Sequence, residues 1–296
     1  MNEVKVQANT EGHIYIFDNV LIFCYNKIMK TLRDIKKNKG VEVEYRKRLQ
    51  KLIDAMGKSV MYWLLTDYGN RTAKEMATAI QKRIKQWDKI FGGKAEEMAL
   101  WFANSVKKHT ENGFRMALNG VGISRSPSIP NDVYNAVKLE NEDLIKSIPE
   151  KYFIGISTVA LMAIMYDWDK DRLEAEIEKR QGITERRAKI IAEDQTHKSN
   201  ELFKLALCEK MGIRYGVWTY TYLSKVPRET HLEMNGTLFD LEKGCYDKKV
   251  GEYIFPGQLI NCSCSFRPVI EEPGDNLRQM VEEKAYFKNI ARGTNV

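Results

Sequence analysis

The chain has 296 residues, 43% of them hydrophobic and 29% charged, with 30 aromatic residues spread along its length. That composition excludes a chain disordered over most of its length and allows one large or two ordinary domains with a buried core. The formal net charge is +7. Residues 27–51 hold ten basic and three acidic side chains and so account for all of it. A concentrated basic stripe of this kind is a candidate surface for DNA or an acidic partner; the alternative is a solvated helix face. No uninterrupted apolar run reaches 18 residues, so no membrane span is expected, and the apolar run from Ile14 to Tyr25 is broken by Asp18 and Asn19, unlike a secretory leader. Five cysteines, an odd number, argue against a disulfide framework.

Proline is absent before Pro127, which favours long helices in the first part of the chain. Apolar residues near 3.6-residue spacing predict helices over 14–38, 41–67, 71–91 and 94–118, punctuated at Gly40, Gly69-Asn70 and Gly92-Gly93. The Gly-, Ser- and Pro-rich segment 119–131 is the best candidate for a domain boundary. Helices are expected again over 131–146, 149–166, 169–180 and 183–212, with Asp169 and Thr184 as N-caps and Gly182 as a stop. After Gly212 the texture changes. Tyr215 to Leu223 reads as a strand, Asn235-Gly236 as a turn before the short run Thr237-Leu-Phe, and Cys264 to Ile270 as a last strand. A helix over 271–290 and a tail complete the reading, which is α+β: helices first, a small antiparallel sheet late.

Motifs for nucleotide binding, zinc peptidases and serine hydrolases are missing. Of the four histidines, His13, His109 and His197 read as ordinary. His231 stands about 30 residues ahead of the Cys262-Ser-Cys264 pair, with Cys245 between. These four side chains could supply soft ligands to a tetrahedral Zn²⁺. In a strand, however, Cys-x-Cys points its side chains to opposite faces, so such a site needs a local turn. The alternative is a tightly packed turn in which His231 bonds to backbone near the last strand; that packed turn is the expectation.

The combination of Trp218-Thr219, Pro227-Arg228, His231, Asn235-Gly236, Phe239, Pro256, Asn261-Cys-x-Cys264 and Pro268 resembles the phage Mu F-like minor head proteins, or phage head morphogenesis family. Upstream, Gly182 to Ala192 and Asn141-x-x-Leu-Ile145 are similar to the family's helical lead-in. The resemblance covers roughly 130–271. The family's usual arginine between the cysteines is Ser263 here, with Arg267 nearby, and its acidic residue ahead of the Arg-His segment is Ser224. It implies a head morphogenesis domain over 121–271, preceded by a variable helical region, 1–120, for portal, capsid and DNA contacts, and followed by a terminal helix and tail, 272–296. Trp218, Arg228, His231, Gly236, Asn261, Cys262, Cys264 and Pro268 would be its structural motif. The implied role is a non-catalytic, low-copy virion component near the portal inside the capsid, made in the host cytoplasm and acting in head assembly and DNA packaging or delivery. Its partners would be the portal protein, major capsid or scaffold proteins and double-stranded DNA. The stripe residues Lys27, Lys30, Arg33, Lys37, Arg46, Lys47 and Arg48 are the candidate contacts to DNA or portal. The alternative is a zinc-dependent hydrolase or toxin effector built on the His/Cys set.

Overall fold

A computed structural model describes residues 30–221 and 227–270. Four long helices come first: α1 (Lys39–Asp67), α2 (Ala73–Asn119), α3 (Asn131–Met165) and α4 (Lys170–Lys210). β1 (Tyr215–Thr219), the short α5 (Glu229–Glu233), β2 (Leu238–Asp240), β3 (Cys245–Asp247), β4 (Glu252–Ile254) and β5 (Ser265–Pro268) follow. The molecule is therefore α+β, helical first and β last.

The helices are fewer and longer than their punctuation predicts. α2 runs through Gly92-Gly93, α3 through Pro149 and α4 through Gly182. Each break would relieve a local cost of about 1 kcal/mol for glycine or about 3 for proline. Continuity instead keeps whole faces buried, such as Trp87, Phe91, Ala95, Met98 and Phe102 across the glycine pair. At Pro149 side chains supply hydrogen bonds: Ser147 Oγ donates to the Leu144 carbonyl, and Arg187 of α4 donates to the Ser147 carbonyl and hydroxyl. Thr184 is thus an interior residue whose hydroxyl donates to the Arg180 carbonyl, whereas Asp169 does cap α4, accepting from Arg172 N at 2.7 Å. Thr72 and Glu75 form a reciprocal capping box at the start of α2.

The 119–131 segment connects α2 to α3, and the larger of two buried clusters runs from Leu32 to Phe266, so the first two helices pack on the rest; the smaller is Tyr215, Val217, Leu238 and Val269 on the sheet. Asn141 pins three helices together: it accepts from Tyr45 Oη of α1 and donates to Gln195 of α4. By length and composition α3 is apolar enough to cross a membrane (mean hydropathy 1.3 in its best window), although no uninterrupted apolar run marks it in the sequence; 44% of that window is buried here.

The segment 30–38, expected as the end of a helix, is extended up to the N-cap Asn38. It lies against the sheet: Thr31 bridges Val269, Leu32 N donates to the Pro268 carbonyl and Ile270 N to the Lys30 carbonyl. Leu32 and Ile35 are buried, and Gly113 of α2 lets Ile35 approach where a Cβ would come within 2.7 Å of its Cγ2. The rest of the first expected helix, 14–29, the segment 222–226 and the helix expected over 271–290 lie outside the described residues. The main sheet has the order β2-β1-β5, antiparallel throughout, with Val217 opposite Leu238 and Trp218 opposite Phe266; β3 and β4 form a separate hairpin. Trp218, Phe239 and Phe266 stack edge-on as the sheet's aromatic core.

Candidate metal centre

His231 sits in α5, buried edge-on against Trp218 at 5.6 Å between ring centroids. Its Nδ1 lies 3.4 Å from Cys262 Sγ and 3.4 Å from Cys264 Sγ. The two cysteines face the same way because they precede β5 rather than belonging to it. Asn261 adopts φ +57°, a left-handed conformation that asparagine tolerates, and Cys262 N closes a turn on the Leu259 carbonyl. The turn is held from three sides. Asp194 of α4 accepts from Asn261 N at 2.7 Å, Arg228 donates to the Ile260 carbonyl at 2.9 Å, and the His197 ring contacts the Cys264 carbonyl at 2.8 Å. Thr221 and Ser263 exchange hydroxyl-to-carbonyl bonds beside it.

Behind the imidazole, Asp247 Oδ2 lies 3.3 Å from His231 Nε2, off the line of a straight hydrogen bond, so the contact is electrostatic. Burial pushes the Asp247 carboxyl up, but bonds from Lys249 N, Thr230 Oγ1 and Val250 N outweigh it and hold the group below its ordinary value. A charged Asp247 favours the proton on Nε2 and leaves the Nδ1 lone pair toward the sulfurs. The bond between the thiols lowers Cys262 and raises Cys264, and burial adds to the rise at Cys264. Burial also pushes Asp194 up, against the Asn261 N–H.

The structure thus brings together Trp218, Arg228, His231, Asn261, Cys262 and Cys264. Gly236 supports them from the side: at φ +77° it turns the chain into β2 and donates to the Trp218 carbonyl. Pro268 ends β5, opposite Gly216. Cys245 stands apart from the metal-competent group, which among the described residues is His231, Cys262 and Cys264, because it projects from β3 two residues before Asp247. Sequence reading missed Asp247, Thr230, Asp194 and His197; the alternation that puts Asp247 on the same strand face as Cys245 is the signal that could have found the first. The pocket that the trio shares with Tyr220, Arg228, Asn261 and Ser263 has about 10 Å³ of free volume, room for an ion or a water.

The basic stripe is rearranged by the extended segment. Lys37 pairs with Glu42 at 2.8 Å, and Arg48 pairs with Glu44 at 3.0 Å and lies over the Trp101 ring. Lys30 is exposed and has a bonding partner of its own, and Lys27 lies outside the described residues. Arg33, Lys36, Arg46, Lys47 and Lys51 are exposed, with no acidic partner among the described residues.

A second polar cluster joins the extended segment to the sheet. Lys204 of α4, wholly buried, lies 2.7 Å from Glu201, 3.2 Å from Asp34 and 2.7 Å from Ser265 Oγ, with its ammonium over the Phe266 ring.

Over 268 residues, 86% of this chain, the sequence is 27% identical to an uncharacterized protein of Haemophilus influenzae; the chain spans 58% of that relative's length. No family model and no solved structure matches.

Proposed function

We propose that this chain is a structural minor head protein of a phage, related to the Mu F-like group, held in few copies near the portal inside the capsid and serving head assembly and DNA packaging or delivery. The observation that carries this reading is the convergence of the motif residues: Trp218, Arg228, His231, Asn261, Cys262 and Cys264, spread over 47 positions, meet around one closed turn. These are the residues on which the resemblance to that group rests, and their common use is to lock a loop onto a sheet. The exposed Arg33, Lys36, Arg46, Lys47 and Lys51 add a surface suited to phosphate backbones without base readout. A zinc hydrolase on the His/Cys set is the second reading, and only the three donor atoms themselves speak for it.

The test is mass spectrometry of purified phage particles from the strain that encodes the chain, with pull-down of the portal protein from lysates of the same cells. The expected result is the chain in particles at a few copies per portal. Its absence from intact, DNA-filled heads would refute the proposal.

A further inference from the structure

We infer that His231, Cys262 and Cys264 bind one Zn²⁺ as a structural clamp between α5 and the loop leading into β5. The convergence of the three donor atoms favours a shared cation over a packed turn alone. His231 Nδ1 has a single site, a lone pair or a proton, yet two sulfurs converge on it at the same 3.4 Å. One S–H can use that lone pair, and the second thiol is left to bond the first sulfur. A shared cation would use all three donor atoms at once. With Zn–N near 2.05 Å and Zn–S near 2.3 Å, tetrahedral ligands sit about 3.6 Å apart across an N···S edge, close to the separation found. All three donor atoms lie within 4.8 Å of one another.

The surroundings fit the ion as well. Two thiolates and a neutral imidazole balance Zn²⁺, so burial of the loaded site leaves no net charge among its ligands. Binding expels two thiol protons to solvent. Asp247, 3.3 Å from Nε2 on the far side of the imidazole, favours the Nε2–H tautomer electrostatically and so turns the Nδ1 lone pair to the ion. Arg228 and Asn261 line the pocket, whose free volume matches one water-sized fourth ligand. The ion would join segments 31 and 33 positions apart in sequence.

The full chain, purified under reducing conditions without chelator, should carry about one zinc per molecule by elemental analysis. Replacing zinc with Co²⁺ should give thiolate charge-transfer bands and the intense d–d absorption of a tetrahedral site. Cys262→Ser and Cys264→Ser should lose the metal, whereas Cys245→Ser and Cys208→Ser should keep it. Asp247→Asn should weaken affinity by about 10- to 100-fold with the same cobalt spectrum, an effect a purely structural aspartate would not produce. If the Cys262 and Cys264 variants do not fold, the wild-type cobalt spectrum and the Asp247→Asn affinity still decide. No metal and no cobalt bands while thiol titration finds both cysteines reduced would overturn the inference. So would a Cys262–Cys264 disulfide in the folded protein, or metal loss in Cys245→Ser. None of these outcomes depends on whether the chain is found in phage particles.

Discussion

Lys204→Met should be among the most damaging single substitutions outside the apolar core. The wild-type ammonium is wholly buried and serves Glu201, Asp34 and the Ser265 hydroxyl at once. Ser265 Oγ lies within 3.1 Å of Glu201 and 2.7 Å of Asp34, but has one proton to give. Methionine fills the same volume and leaves the two carboxylates with that proton and the Asn200 amide, which donates to Glu201 at 3.2 Å, but with no cation, and the Glu201 side chain is only 4% exposed. Removing one partner of a buried ion pair costs about 3–5 kcal/mol. For a body of this size that is a fall in Tm of roughly 10 °C. Adding Glu201→Leu removes the most buried orphan charge, while Asp34, at 15% exposure, keeps some contact with water. The double variant should thus regain most of the loss. Urea melts of the four proteins in the cycle measure the coupling directly. A Lys204→Met protein within about 2 °C of wild type would refute the reasoning, and so would strict additivity of the two changes.

His231→Ala should destabilise by about 1–3 kcal/mol, because Asp247 and both thiols lose their partner; urea denaturation in the presence of chelator checks it. Gly244→Ala should cost about as much or more, since the residue is at φ +80° and a Cβ would lie 2.6 Å from the Ile254 carbonyl oxygen. Glu42 is held below its ordinary value: burial pushes it up, and bonds and charge from Lys37 and Lys39 outweigh that. A depressed folded pKa gives stability that is present above the unfolded value near 4.5 and lost as pH falls through the folded one. Glu42→Gln should therefore destabilise at pH 7 and approach wild type as pH falls through the lowered folded value, read from denaturation curves across that range. Fluorescence anisotropy with unrelated duplexes should show sequence-independent binding that weakens with salt, with a log–log slope of about −3 to −5 for three to five phosphates. Arg46→Glu, Lys47→Glu and Lys51→Glu together should remove most of it; no binding even at low salt would exclude the DNA surface and leave portal contact.

Some of this was legible in the residues because local chemistry and the final structure agree. Asn235-Gly236 turns where a left-handed glycine is needed, Asp169 caps α4, and the β-branched and aromatic stretch from Tyr215 forms the central strand. The misread boundaries share a cause. Gly92-Gly93, Pro149 and Gly182 carry local costs visible in sequence, while the buried faces that outweigh them belong to neighbouring helices. The extended segment misleads in the same manner. Leu32 and Ile35 have helical spacing, but they are buried by the sheet edge and α2, elements distant in sequence. A lysine at position 204 of a charged helix reads as solvated, and only the arrival of Asp34 and Ser265 makes it an interior residue. At the His/Cys turn, residue types were informative and grouping was not: Cys245 has the right chemistry in the wrong place, and Asp247 gives no sign of its use until β3 is positioned.

The backbone pairing at the rim of the sheet also has a mechanical meaning. The chain enters the described body at Lys30 and leaves it at Ile270, and these two residues are hydrogen-bonded to each other. Because 30–32 runs antiparallel to 268–270, tension applied to the two ends loads this pairing as a zipper: one bond carries the force at a time, beginning with Ile270 N to Lys30 O. Peeling in that order reaches Asp34 next and uncovers Lys204 before any helix has to move. A pairing loaded in this way yields one bond at a time to a pull from its ends, such as threading through a narrow channel would supply.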